Sequence, residues 1–241
     1  MRLAVLSDIH ANLEAFEQVL ADIDQNAIDA IVSLGDNIGY GPDPNAVIAL
    51  LQKRRIPSVL GNHELAALNA RNLDWFNPVA RRSLRWTIDR LSSQSREFVS
   101  RLPAALVLHG CRFVHGFPPR AITTYLFQVS PQQMVSACQR LSVALCFIGH
   151  THDLEHVECD GEDVSRHPLR EGNIRLCLEN RHILNIGAVG QPRDGDNRAK
   201  YVIWDSREKV LTVRFVSYDI ASVVRKIKAA GLPEAHADRL W

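Results

Sequence analysis

Five times along this chain a short apolar run stops and the next residues are of the types that bind cations or move protons. Leu3–Leu6 leads to Asp8 and His10, and Ile31–Leu34 with Gly35 leads to Asp36. Val59-Leu60-Gly61 leads to Asn62 and His63, Phe113-Val114 to His115, and Phe147-Ile148-Gly149 to His150 and His152. Runs this short and this apolar read as buried strands. In open α/β sheets ligands bind beyond the carboxyl ends of the strands, so the five loops are expected to converge on one edge.

The rest of the chain is organised around those runs. Asn12 caps a helix with Leu13, Phe16, Leu20 and Ile23 at helical spacing. Ala30–Leu34 is a second strand, Asp43-Pro44 opens a second helix, and Pro57–Leu60 reads as a third strand. Strand and helix alternating at these lengths predict right-handed crossovers and a largely parallel sheet. Residues 64–102 break the rhythm with a helical insertion, its stripe being Ala80, Leu84, Ile88 and Leu91, expected to cap the site. Ser130-Pro131-Gln132-Gln133 is a capping box. Short, mostly antiparallel strands are expected from Asp153 to Val216, and Asp219 caps a closing helix.

Composition excludes several classes of protein. A chain of 241 residues is one large domain or two small ones at about 150 residues per domain, and no linker divides it. The expectation is one domain over 1–241, with the insertion inside it. Lys and Arg number 28 against 27 Asp and Glu, a net charge of +1 with no general pull toward nucleic acid or anionic membrane. The five cysteines form no CxxC pair and read as reduced thiols. No segment reaches the ~18 apolar residues of a membrane span, and the first residues lack a signal peptide's apolar region, so a cytoplasmic location is expected.

Carboxylate, imidazole and amide oxygen without thiolate suit manganese, iron, zinc or nickel. His150 and His152, at i and i+2 on extended chain, point to opposite sides and can serve two neighbouring ions. Two ions roughly 3.5–4 Å apart clamp the attacking and leaving oxygens of an in-line phosphoryl displacement. The ordered set Asp8-Ile9-His10, Gly35-Asp36, Gly61-Asn62-His63-Glu64, His115-Gly116 and Gly149-His150-Thr151-His152 resembles the calcineurin-like metallophosphoesterase superfamily over residues 1 to about 200. The resemblance implies an α/β fold: a two-sheet β-sandwich flanked by helices in four αββα layers. It implies two divalent ions, manganese foremost, one on Asp8, His10, Asp36 and His152 and the other on Asp36, Asn62, His115 and His150. It also implies attack by a hydroxide held between the ions, with His63 as the catalytic residue beside the leaving oxygen.

The Ser/Thr phosphatases of that superfamily carry GDxxDRG, whereas this chain reads Gly35-Asp36-Asn37-Ile38-Gly39-Tyr40-Gly41 and lacks the Asp that partners the histidine. The loops Gly39–Pro44 and Gly190–Asp196 instead resemble the small prokaryotic phosphodiesterase-like branch. A phosphodiesterase acting on a small phosphorylated substrate, a nucleotide among the options, is therefore expected. A phosphomonoesterase or protein phosphatase, a nucleotide-polyphosphate hydrolase and an inactive protein-binding scaffold are the alternatives. Asn37 and Arg193 are expected to touch substrate. His109-Gly110 competes with His115-Gly116 for the fourth motif, and position after Phe113-Val114 favours His115. Arg81, Arg82 and Arg85 read as a solvated helix face rather than an anion funnel. Trp75, Phe76 and Tyr125 read as core rather than a base-stacking shelf. His156, His167, His182 and His236 match no ligand spacing and are expected at the surface.

Overall fold

The computed structural model describes all 241 residues. Eleven strands run, in chain order, Arg2–Leu6 (β1), Ala30–Ser33 (β2), Ala105–Leu108 (β3), Cys111–Val114 (β4), Leu145–Ile148 (β5), Leu154–Cys159 (β6), Val164–Pro168 (β7), Gly172–Arg175 (β8), Arg181–Ile186 (β9), Ala199–Asp205 (β10) and Val210–Val216 (β11). The α-helices are Leu13–Asp24 (α1), Pro44–Lys53 (α2), Asn62–Leu68 (α3), Pro78–Arg90 (α4), Ser93–Ser100 (α5), Pro131–Gln139 (α6), Ile220–Ala229 (α7) and Glu234–Asp238 (α8). No helix is long and apolar enough to cross a membrane.

The strands form two mixed sheets flanked by helices, one ordered β2-β1-β10-β11-β8 and the other β3-β4-β5-β9-β6-β7. Side-chain alternation builds the layers. Leu3 and Val5 of β1, Leu145 and Phe147 of β5, and Val202 and Trp204 of β10 point between the sheets into one apolar core. Ala4 and Leu6 with Tyr201 and Ile203 point the other way, against Phe16, Val19 and Leu20 of α1 and Val47 and Leu51 of α2. Cys146 and Ile148 pack with Met134, Ala137 and Cys138 of α6. Strands covered on both faces carry near-continuous apolar runs, and β5 is buried at every position. A fully buried Leu or Phe contributes about 1.5–3 kcal/mol, so this central seam holds the two sheets together.

The sheets are mixed rather than largely parallel. β1 pairs parallel with β2 but antiparallel with β10, because β10 arrives as a late hairpin with β11 rather than through a helical crossover. Pro57–Leu60 contributes only an isolated bridge from Ser58 to Ser33, not a strand. Proline offers no N–H to a ladder, and beyond Leu60 the chain turns into α3 after a single further bond to the Pro103 carbonyl.

The parallel pairs set the function. β1 and β2 in one sheet, and β4, β5 and β9 in the other, end on the same side. The ends are tied across the sheets: Val189 N–H donates to the Ser7 carbonyl and Gly190 N–H to that of Asp8, both at 2.9 Å. Between α2 and β3 the chain forms α3, a 3₁₀ turn at Ala70–Trp75, α4 and α5.

Candidate metal centre

Asp8, His10, Asp36, Asn62, His63, His115, His150 and His152 are all buried; Asn62 and His63 open α3, and the others sit just past strand ends. Asp8, His10, Asp36, His150 and His152 have φ between +49° and +72°, the left-handed region that non-glycine residues rarely occupy. Such backbone costs about 1–3 kcal/mol per residue and persists only where the surroundings over-determine it.

The surroundings are a set of buried hydrogen bonds. His10 Nδ1 lies 3.2 Å from the Ile38 carbonyl, His115 Nδ1 2.9 Å from that of Leu34, and His152 Nδ1 2.5 Å from that of Gln191. A carbonyl only accepts, so each ring donates through Nδ1–H and turns Nε2 inward. The inward atoms crowd together: His10 Nε2 is 3.1 Å from His152 Nε2, and His115 Nε2 is 3.2 Å from His150 Nδ1 and 3.0 Å from Asn62 Oδ1. Asp8 Oδ1 lies 3.2 Å from His152 Nε2 and has no hydrogen-bond partner, while Oδ2 accepts from Ser7 Oγ and from His150 N–H. Asp36 Oδ2 is 3.2 Å from His115 Nε2 and 3.9 Å from both His10 and His63.

The donors form three overlapping groups whose atoms lie within 4.8 Å of one another: Asp8 with His10 and His152, Asp36 with His115 and His150, and, joining them, Asp36 with His10 and His63. The His10 and His152 Nε2 lone pairs facing each other at 3.1 Å repel unless a proton or cation lies between them, and the orphaned Asp8 oxygen asks for the same. The site also requires a bare backbone at Gly149, where a Cβ would stand 1.9 Å from Ser7 Oγ and 2.6 Å from Asp8 Oδ2. The donor set fits divalent cations.

Glu64 was visible in the sequence only as the end of a motif, and its work is structural. Its carboxylate accepts from the backbone N–H of Asp36 at 2.9 Å, of Asn37 at 2.6 Å and of Gly61 at 3.1 Å, while Asp36 Oδ1 accepts from His63 N–H at 2.9 Å. Each loop thus holds the other. Asn37 is corrected by the same geometry: its amide is buried among Ser33, Ser58 and Glu64 and does not line the cavity, so it supports the loop instead of reaching substrate.

Burial and charge set the protonation. Burial works to raise Asp8, but His152 and His10 overcome it and hold the carboxyl well below its usual range. Asp36 is likewise lowered against burial, by His115 and His63. Burial presses His150 down to about 3, and His152 down to about 4 against the pull of Asp8. For His115 burial also lowers, but Asp36 and Asp8 prevail and push the ring up to about 9. Burial raises Glu64 to about 7, with Asp36 adding to it.

His63 stands beside this group, its ring edge-on to Phe76 and to Tyr40. Its Nδ1 has no partner, and burial keeps the ring neutral well below the ordinary histidine value. The absent Asp partner has a physical counterpart, since a Cβ at Gly39 would stand 2.1 Å from that Nδ1.

Above the donors opens a cavity of about 1100 Å³ lined by Asp36, Asn62, His63, His150, His152 and Arg193, among others. Arg193 is thus placed where a substrate contact was expected. Trp75, Phe76 and Tyr125 also line it: Trp75 is 61% exposed and Tyr125 stacks on His150 with ring centroids 3.9 Å apart, so neither is core, whereas Phe76 also packs against Ala66, Leu73 and Leu84 as expected. Tyr40, Arg239 and Trp241, which no motif or spacing marked, lie on the same wall. Lys200, fully buried, pairs with Asp194 at 2.6 Å and ties down the loop that carries Arg193. Arg81, Arg82 and Arg85 lie outside this cavity, on a groove beside Gly231–Pro233. His109 is exposed at the β3–β4 turn.

Three of the four histidines expected at the surface are buried: His156 is 6% exposed, His182 0% and His236 3%. His156 and His182 share strand faces with Leu154 and Leu184, so alternation carries them inward, and His236 of α8 packs on Tyr40 with ring centroids 4.7 Å apart. His167 is exposed.

Residues 1–209 match the calcineurin-like phosphoesterase superfamily domain, and the chain belongs to that superfamily. An uncharacterised protein from Methanocaldococcus jannaschii is 34% identical over 99% of this chain and 97% of its own length. A metallophosphoesterase from Sphaerobacter thermophilus of known crystal structure is 36% identical, with a TM-score of 0.85 over 100% of this chain and 98% of its own. A hypothetical protein from Pyrococcus horikoshii shares the fold at 18% identity, with a TM-score of 0.79 over 100% of this chain and 97% of its own. Membership supports a phosphoester hydrolase, and the clustered His and Asp side chains are candidate ligands for the divalent metals that the superfamily uses.

Proposed function

We propose that the chain is a two-metal phosphodiesterase acting on a small diester that carries a planar organic group, a nucleotide first among them. The carrying observation is one cavity of about 1100 Å³ with Asp36, Asn62, His63, His150 and His152 at one end and Trp75, Phe76, Tyr125 and Trp241 along its wall. Small-molecule pockets run to about 300–1,000 Å³, so the space exceeds what a phosphoryl group needs and takes both substituents of a diester. The exposed tryptophans, Trp75 at 61% and Trp241 at 69%, offer faces on which a flat ring can stack.

One ion is assigned to Asp8, His10, Asp36 and His152, the other to Asp36, Asn62, His115 and His150. The donor groups and the reach of Asp36 Oδ2 toward both His10 and His115 support this division. Divalent cations bound there supply Lewis-acid polarisation of a phosphoryl group and the charge that makes water a nucleophile near neutral pH. Manganese is the first assignment, then iron, zinc or nickel.

The protein's own groups do the rest. Arg193 meets the phosphate's negative charge from the opposite wall. His63 protonates the leaving oxygen. Burial keeps its ring neutral in the free protein, and an anionic phosphate beside it acts as Asp36 does, favouring the imidazolium. The ring therefore takes up its proton from water as the substrate binds. The unpartnered Nδ1 and the missing Asp at Gly39 support a diesterase over a protein phosphatase.

Three esters with one leaving group test this: p-nitrophenyl phosphate, its ethyl diester and its thymidine 5′ diester. The expected order of kcat/KM is thymidine diester, ethyl diester, monoester, with Trp75→Ala raising KM for the thymidine ester alone. A preferred monoester would make the enzyme a phosphatase, and equal kcat/KM for the two diesters would remove the nucleotide assignment.

A further inference from the structure

A second group of metal-binding side chains meets at the other end of the six-stranded sheet. His156 and Glu158 are two apart on β6 and share a face, and His182 on β9 is the cross-strand partner of Glu158. His182 also pairs with Leu145, the first residue of β5, whereas the cavity lies beyond the last, Ile148. The face is the one that sends Leu154, Leu184 and Ile186 into the inter-sheet core, so the group sits where that core runs out.

The donor atoms of His156, Glu158 and His182 lie within 4.8 Å of one another, and His156 Nε2 is 2.9 Å from His182 Nδ1. His182 Nε2 lies 2.8 Å from the Cys177 carbonyl, so Nε2 carries the proton and Nδ1 turns a lone pair toward His156. The Asn180 amide donates to Glu158 Oε1 at 2.7 Å, which orients the carboxylate and leaves its second oxygen free. A ring fixed from behind by a backbone carbonyl is the usual support of a metal-binding imidazole, and His10, His115 and His152 are held the same way.

We propose that His156, Glu158 and His182 form a structural site for one divalent transition-metal ion, zinc by its donor set, separate from the cavity. Two imidazoles and one carboxylate are a zinc combination that leaves a fourth position. His167, opposite His156 on β7 with ring centroids 6.0 Å apart, and water are the groups available to fill it. Loading displaces the proton that otherwise joins the two rings: His156 presents Nε2 bare and keeps its N–H on Nδ1, while His182 keeps the tautomer that Cys177 imposes. The ion then staples β6 to β9 where apolar packing ends.

The test counts zinc in the full-length chain after chelator stripping and reloading, with melting temperature as the second readout. His182→Ala and His156→Gln are each expected to bind one equivalent less than wild type and to lose part of the zinc-induced rise in melting temperature. In an Asp36→Asn background one equivalent is expected to remain, and to disappear when His156→Gln is added. His182 is fully buried, so if its variant fails to fold, His156→Gln decides, since glutamine can still donate to His182 Nδ1. Equal zinc in wild type and folded His156→Gln, or an equivalent in Asp36→Asn that survives His156→Gln, would overturn the proposal.

Discussion

The two histidine clusters are made of similar parts on different backbone. At the cavity, Asp8, His10, Asp36, His150 and His152 occupy loops with φ of +49° to +72°, two carboxylates share the space with four imidazoles, and about 1100 Å³ opens above them. At the far end His156, Glu158 and His182 ride on regular strands, with one carboxylate and no place in that cavity. A strained backbone has to be held, and the bonds of Glu64 to both loops hold it. A regular strand needs no such support. Strain, like charges and open volume together mark the end where chemistry takes place, and their absence marks the end where a cation can only hold strands together.

The largest effect expected is from Asp36→Asn, which removes the ligand we assign to both ions. Metal at the cavity and turnover should be lost together, and retention of both would break the shared-ligand assignment. His63→Ala should keep its metal and lose roughly 10²–10⁴-fold in kcat, as for loss of a general acid. That loss should appear with alkoxide leaving groups and shrink with p-nitrophenolate, which departs without a proton. Loss of metal in His63→Ala would make it a ligand.

Glu64→Ala should lower stability by about 1–3 kcal/mol, the scale for leaving buried N–H donors without their acceptor. Denaturant unfolding of the metal-free chain measures it, and a change below about 1 kcal/mol would show that the two loops hold without the clamp. The metal-free chain should also be acid-labile. Burial takes His150 down to about 3, and His152, His156 and His236 each to about 4, against about 6.5 unfolded. The unfolded chain therefore takes up protons first as pH falls, and these rings withdraw stability between about 6.5 and 4. His115, raised to about 9, works oppositely: its contribution is complete below about 6.5 and fades as pH rises through 9. Glu64, raised to about 7, likewise favours the folded chain as pH falls; four rings outweigh these two groups, so the melting temperature at pH 5 should lie below that at pH 7, and the reverse would contradict the rings' buried neutral state. His109→Ala should be the smallest effect, within about 0.5 kcal/mol and with full metal content, whereas His115→Ala should lose metal.

Much of the cavity was legible because strand ends and ligand types recur together in the chain. Asp8, His10, Asp36, His115, His150 and His152 needed only the rule that parallel strands deliver their loops to one edge, and Asn62 follows an apolar run that forms an isolated bridge rather than a strand. Their strained backbone was not legible, because φ at Asp36 or His150 depends on hydrogen bonds from segments far away in sequence. Glu64 was readable as a residue but not as a clamp, since its partners at Asp36 and Asn37 lie 28 and 27 positions earlier. His156 and His182 were misplaced by attending to ligand spacing and not to strand parity with Leu154 and Leu184. The mixed sheets escaped because β10 and β11 return after 190 residues to pair beside β1, a contact that no local pattern encodes. Trp241 and Arg239 reach the cavity from the last turn of chain, past the matched domain, and nothing in the sequence marks them.

The most direct measurement is metal content and diester turnover on the same sample, before chelation, after it, and after return of Mn²⁺. Two ions at the cavity, counted as those lost in Asp36→Asn, with turnover that falls on chelation and recovers with the metal, is the predicted result. Turnover that survives complete removal of metal, or a cavity that binds no divalent ion, would contradict the account.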